Sequence, residues 1–445
     1  MTKLRTLAGL AAVLALGGCA SLSADGRYGE VRALAQARTA QDLPATAPGS
    51  GTVDRQVAGL LAKPLTPESA VTIALLNNRS LQADYAELGI AEADLVQAGR
   101  LPNPGLSFSR LKGADGLEIE RKLTLPLIGL LTMPVTRALE QRRYEQAQLR
   151  AAGDLLRVAD ATRRAWFKAV AAQQGAEYFE QVASAAEAGA ELARRGAEAG
   201  NWSRLQQARE QAFHADAIAQ LNRARQVHLA EREALVRLLG LTAAQTFTLP
   251  ERLPDLPAAP RAVSETDAQA MNNRLDVLMA QKELAGLATS LGLTRTTRFV
   301  NLLDLSYLRK SEPNGARSRG YEIALEIPLF DWGGARVAKA ETLYMQAVHR
   351  TAAIAVDARS QVREAHGAYR SAYELARHYR DEVVPLKKRV SDEQLLRYNG
   401  MLIGVFELLA DAREQVASVN AAIEAQRDFW IADSALQAAM SGVPQ

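Results

Sequence analysis

The chain has 445 residues and nearly balanced charge, with 53 lysines and arginines against 50 aspartates and glutamates. A formal net charge of +3 with no lysine/arginine block excludes a nucleic-acid footprint. Aromatic residues are only 5% while alanine recurs among interleaved charges, the composition of long helices packed closely side by side.

Lys3 and Arg5 precede an uncharged run, Leu7 to Leu16, about half of the ~20 residues that a membrane-spanning helix needs. Residues 1–18 therefore read as an export signal ending in Gly17-Gly18. Cys19 is the only cysteine, so it makes no intramolecular disulfide, and a lone thiol with no neighbouring histidine is a poor nucleophile. The stretch Leu16-Gly17-Gly18-Cys19 resembles a bacterial lipobox. That resemblance implies that Cys19 becomes the mature N-terminus and carries diacylglycerol and an N-acyl lipid, and Ala20 beside it implies delivery to the outer membrane. A plain signal peptide with an incidental cysteine is the alternative. Residues 19–63, containing Pro44, Pro48, Gly49 and Gly51, read as an extended linker leading away from this anchor.

A first repeat covers 64–248. Its opening helix starts at Thr66-Pro67-Glu68, a cap followed by proline in the first turn, and runs to about Gly99 before LPNPG. Two strands follow, about 104–111 and 117–127, joined through KGADG. Leu117, Ile119, Leu123 and Leu125 share one side of the second strand, and Glu118, Glu120, Lys122 and Thr124 share the other. Arg121 interrupts the apolar side, which places it near a membrane interface or at a register shift. From Pro134 to about Ala199 the pattern is helical, a rod on the order of 100 Å long. Leu149, Ala152, Leu156, Ala159, Trp166 and Val170 mark its seam. The rod breaks at Gly200-Asn201, and a second helix returns to Gly240.

A proline-rich link, 249–260, leads into a second repeat, 261–441, on the same plan. Met271-Asn272-Asn273-Arg274-Leu275 answers Leu76-Asn77-Asn78-Arg79-Ser80. Strands are expected at about 299–308 and 321–330, with Pro328 answering Pro126. The second break aligns Gly400 with Gly196, Gly404 with Gly200 and Glu407 with Ser203, making Gly200, Gly400 and Gly404 the turn residues. The expected fold is mainly α with transmembrane β, a tandem helix–strand–strand–helix–helix repeat.

Beyond the signal no stretch approaches 18 uncharged apolar residues, so any entry into a membrane is through strands. Four strands cannot close on themselves, and an open sheet edge in hydrocarbon costs several kcal/mol for each unsatisfied backbone group. Two copies would make a barrel filled by its own side chains; three would make twelve strands around a lumen, with twelve long helices enclosing a tube. Polar candidates for such a lumen are Glu118, Glu120, Lys122, Asp304, Glu322 and Glu326. The competing reading is a soluble or surface-attached coiled-coil scaffold.

Leu101-Pro102-Asn103-Pro104 before the first strand, IPLFDWGGAR (327–336) joining the last strand to its helix, and Tyr398–Gly400 with Leu408-Leu409 at the turn carry a family likeness. Residues 60–440 resemble the TolC-like outer membrane efflux proteins, most of all their lipoprotein branch. The resemblance implies a homotrimer with a twelve-stranded β-barrel and a twelve-helix periplasmic tunnel. It further implies a tip that docks on a periplasmic membrane-fusion adaptor and an inner-membrane pump, and passive conduction of drugs, other toxic compounds or metal ions. An exit duct for type I protein secretion shares that architecture. The family often narrows its tip with acidic rings; Glu407 matches the first such position, whereas the second falls on Ala410 with Asp411 one residue on. His214, His228, His349, His366 and His378 are scattered, and no nucleophile elbow, phosphate loop or dinucleotide fingerprint occurs, so neither an enzyme, a cofactor nor a metal site is expected.

Overall fold

The computed structural model describes residues 22–23, 28–39, 42–45, 53–114, 116–242, 245–261, 274–299, 302–313 and 315–443. The expected signal, Cys19, and residues 262–273 at the head of the second repeat lie outside the described residues. No helix among the described residues is long and apolar enough to cross a membrane. The chain divides into two compact units: residues up to Val31 with 84–151 and 276–356, and residues 32–83 with 152–275 and 357–445.

The first unit is organised around a four-stranded antiparallel sheet in sequential order: β1 (Gly105–Gly113), β2 (Gly116–Pro126), β3 (Leu303–Ser311) and β4 (Arg317–Leu325). The last two strands are shifted from the expected 299–308 and 321–330 towards the turn between them. β3 extends through Arg309, Lys310 and Ser311, and β4 begins at Arg317 and ends at Leu325 rather than spanning 321–330. Arg309, Lys310, Arg317 and Arg319, outside the expected ranges, are strand residues, and Pro328, which cannot donate to a ladder, lies beyond the strand. Arg121 sits in regular register between Phe108 and Arg309, with no bulge.

Segment 19–63 is not extended throughout. It contains α1 (Tyr28–Gln36) and α2 (Val53–Leu61), whose Val31, Ala35, Val53 and Val57 are buried at helical spacing. In the first unit Ser23 donates to the buried Glu92 from its backbone and its hydroxyl, at 3.1 and 2.9 Å, and Tyr28 meets Tyr85 edge to face.

In the second unit, α3 (Pro67–Asn77) starts as expected, with a reciprocal Thr66–Ser69 capping box and Pro67 in the first turn. It does not run on to Gly99. Asn78 is extended and opens α4 (Arg79–Ala98) by accepting from the Leu81 N–H. The reason is tertiary: Asn77 and Asn78 donate to the last carbonyls of α6 (Arg204–Leu239), at Leu238, Leu239 and Gly240. Gly240, with φ +65°, ends α6 so close to this motif that a Cβ would lie 2.6 Å from the Asn77 carbonyl oxygen. Arg274 does a parallel job in the second repeat. Its buried guanidinium donates to the Ala439 carbonyl at 2.7 Å and to Gln361 at 2.8 Å.

The long helix α5 (Leu127–Glu198) starts at the end of β2, so Pro134 lies inside it and not at its head. The proline forfeits the bond to the Leu130 carbonyl, a defect the helix tolerates. The expected seam is buried along its length, from Leu149 to Val170, with alanines packing between. The counterpart of α5 is interrupted. After α7 (Leu275–Thr297) and the sheet, α8 (Gly334–His378) passes into a π-turn at Tyr379–Val383 just before Pro385, and α9 (Val384–Asn399) continues. The proline-rich link is a strap bound to helices. Tyr373 donates to the Ala258 carbonyl, and Trp430 of α10 (Val405–Ser441) donates to the Pro254 carbonyl, each at 3.0 Å. Beneath it Val362, Tyr369, Phe429 and Leu436 form the core.

Candidate functional site

Within the first unit the sheet is inside out by the standards of a water-soluble protein. Leu106, Phe108, Leu123, Leu125, Tyr307, Tyr321, Ile323 and Leu325 are exposed, Phe108 at 62% and Tyr321 at 79%. The register places all of them on one face. The opposite face is polar and internally bonded: Lys122 pairs with Glu322 at 2.5 Å, Lys310 with Glu118 at 3.0 Å, and Thr124 bonds the buried Ser306 at 3.0 Å. Five of the six lumen candidates, Glu118, Glu120, Lys122, Asp304 and Glu322, therefore share one face by register. Glu326 follows the end of β4 and does not belong to the ladder between β3 and β4. Lys310 was missed because the expected strand stopped at 308; alternation carried three residues further would have included it. β1 and β4 are the outer strands of the order, and every residue of β1 is exposed. Exposed edges with an apolar face are a demand for further strands.

The other candidate site is the pair of turns in the second unit, both closed the same way. After α5, Gly200 takes φ +75°, its N–H bonds the Ala197 carbonyl and Asn201 N–H bonds the Gly196 carbonyl. After α9, Met401 takes φ 58°, its N–H bonds the Tyr398 carbonyl and Leu402 N–H bonds the Arg397 carbonyl. The left-handed residue of the second turn is thus Met401 and not Gly400, whose φ is −78°. Gly404 is an N-cap without a side-chain bond, whereas Ser203, the N-cap of α6, closes a capping box with Gln206. Ser203 hence answers Gly404, and Glu407, in the first turn of α10, answers Gln206; the alignment of Glu407 with Ser203 is corrected. Glu407 is exposed and sits where a carboxylate complements the helix dipole. The Asp411 side chain lies outside the described residues.

A non-glycine residue in the left-handed region costs roughly 1–2 kcal/mol. Met401→Gly should therefore stabilise the tip by about 1 kcal/mol, read as slower hydrogen exchange at the Leu402 and Met401 amides. Unchanged exchange would mean that the turn carries no such strain.

Leu205, Leu396, Met401 and Leu402 leave apolar surface exposed around these turns, Met401 at 93%. Two carboxylates on the adjoining helices are paired. Arg194 and Arg195 hold the exposed Glu191 carboxyl down to about 2, and Lys387 holds Glu414 below the usual carboxylate range. Deeper between α6 and α10, Arg413 reaches the buried Glu210 at 2.7 Å and lies over the Phe213 ring at 4.4 Å.

A sheet with its apolar side outward, joined to long alanine-seamed helices in a duplicated plan, can be compared with known proteins as a whole. The chain is similar to CmeC, the outer membrane channel of Campylobacter jejuni, with a TM-score of 0.73 and 16% identity over 90% of this chain and 89% of that one. It is also similar to CusC, solved in a study of transmembrane channel formation, with a TM-score of 0.71 and 15% identity over 91% of this chain and 98% of that one. The fold is that of these outer membrane channels. No family model matches the sequence. A curated relative, the cobalt-zinc-cadmium resistance protein CzcC of Cupriavidus metallidurans, is 26% identical over 274 residues. The match covers 61% of this chain and spans 64% of that relative's length.

Proposed function

We propose that this chain is the outer-membrane exit duct of a tripartite efflux system. Three copies join β1 of one to β4 of the next, closing a twelve-stranded barrel whose apolar face meets lipid and whose polar face lines water. The long helices continue the duct on the periplasmic side. The turns at Gly200 and Met401 dock on a periplasmic adaptor and, through it, on an inner-membrane pump. The duct itself is passive: the pump supplies the work, and no chemistry is done on the cargo. Cargo is small molecules, with divalent metal ions favoured by the likeness to a cobalt-zinc-cadmium resistance protein. Cys19, acylated after signal removal, tethers each copy to the outer membrane but is secondary to the barrel in holding it there.

The observation that carries this reading is the inverted sheet with open edges. It also weighs against the soluble scaffold, because a contiguous apolar face of this kind exposed to water invites aggregation. Fractionation tests it: heat-modifiable trimers in the outer membrane are expected, and a monomer released by carbonate would overturn it. Within that duct Glu407 narrows the tip as a ring of three carboxylates. Glu407→Ala should raise the open probability of single channels in planar bilayers; identical gating in wild type and variant would remove Glu407 from the gate.

A further inference from the structure

The apolar face of the sheet is not apolar to its end. Phe108, Arg121, Arg309 and Arg319 stand directly opposite one another in one row across β1, β2, β3 and β4. The next row towards the hairpins adds Arg110 and Arg317, and Lys112 follows on β1. By register these six cations share the face of Tyr321 and Ile323, and no aspartate or glutamate of the four strands is on it. None of the six is in an ion pair among the described residues. The strand carboxylates are on the other face, where Lys122 and Lys310 take Glu322 and Glu118.

Such a row needs a physical account. Residues directly opposite on adjacent strands hold their Cβ atoms about 5 Å apart, and like charges there repel. An ordinary solvated face would intersperse acids, and beside hydrocarbon the lower dielectric makes the repulsion stronger. The Phe108 ring, 6.0 Å from the Arg121 guanidinium carbon, supplies only a weak partner. The other end of the same sheet is different in kind. There the chain beyond β4 exposes Ile327, Leu329, Phe330 and Trp332, and Phe330 is 99% exposed. Membrane barrels commonly carry aromatic girdles at both interfaces; here one end has aromatics and the hairpin end has arginines.

We infer that the Arg121–Arg309–Arg319 row, with Arg110, Lys112 and Arg317, binds phosphate-bearing lipid headgroups at the hairpin end of the barrel. The inference rests on the barrel reading above, which turns this face to lipid. Guanidinium forks match phosphate oxygens in pairs, and their stems reach from the apolar band to the headgroup level. A lipid fits better than a dissolved anion because the row borders the exposed tyrosines and aliphatic residues, which take the acyl chains. A phosphate with up to two negative charges offsets most of the repulsion among the three adjacent cations, so the lipid acts as a clasp across β2, β3 and β4.

The test uses the purified full-length protein in nanodiscs of phosphatidylcholine, with or without phosphatidic acid, and a third set of neutral discs with inorganic phosphate in solution. Wild type should retain phosphatidic acid after re-extraction about tenfold above its share of the disc lipid, and should melt higher in those discs alone. Arg309→Gln/Arg319→Gln should insert into neutral discs as well as wild type and lose both effects. Equal retention by wild type and variant overturns the lipid site, as does an equal melting shift from inorganic phosphate, or wild-type insertion with no lipid preference. Failure of wild type to insert into any disc overturns the barrel reading together with it.

Discussion

Ile323→Arg should abolish assembly in the outer membrane, while Ala324→Arg, one residue along, should be tolerated. Ile323 is 61% exposed on the apolar face, opposite Leu305, well short of the arginine row. An arginine near the bilayer midplane of a barrel costs roughly 2–4 kcal/mol, and three copies incur it together. Ala324 lies opposite Asp304 on the polar face, where an added cation meets water and a carboxylate. The measurement is the fraction of heat-modifiable trimer in outer membranes, with efflux-dependent resistance as the functional readout. Equal loss in both variants would mean that the two faces are not lipid and lumen. The neighbouring pair makes a sharper test than a distant control, since strand propensity, expression and position along the barrel are nearly matched.

The second large effect is expected from Arg413→Ala. The Glu210 side chain is only 4% exposed, and Arg413 is its ion-pair partner between α6 and α10. Removing Arg413 leaves the buried Glu210 carboxylate uncompensated, and because Arg413 itself is 32% exposed the cost lies at or below the about 3–5 kcal/mol of a fully buried pair. The helical circular-dichroism melt should fall accordingly. Glu210→Leu/Arg413→Met should recover most of the loss, because apolar side chains of similar size replace a buried ion pair at little cost. Failure of the double variant to recover would show that the pair specifies the packing of these helices and does not merely fill it.

Much of this architecture was legible because it rests on local periodicity. The alanine-rich seam of α5, the alternation of Glu118 to Leu125 and the proline cap of α3 are short-range patterns, and each element forms much where its own side chains require it. The duplication was legible as well, since two copies of one plan check each other. Errors fell where a local signal had a different cause. Pro134 looked like a helix start but sits inside a helix that a strand leads into, and in the turn expected at Gly400 and Gly404 the left-handed residue is Met401. The arginines of β4 fell outside the expected strand because their partners are on β3, and strand pairing is invisible along a single stretch of sequence. The helices α1 and α2 were hidden among prolines and glycines that punctuate them.

Spacing along a chain is enough to decide which side chains share a face, so the alternating residues, the apolar helix seams and the doubled plan are all written locally. Register comes from long-range pairing instead. Pairing between strands put Lys122 beside Glu322 and aligned Arg121, Arg309 and Arg319 across the sheet, and it showed that the greasy face is the exposed one. Those facts depend on residues far apart in the chain meeting in space, and no local pattern encodes them.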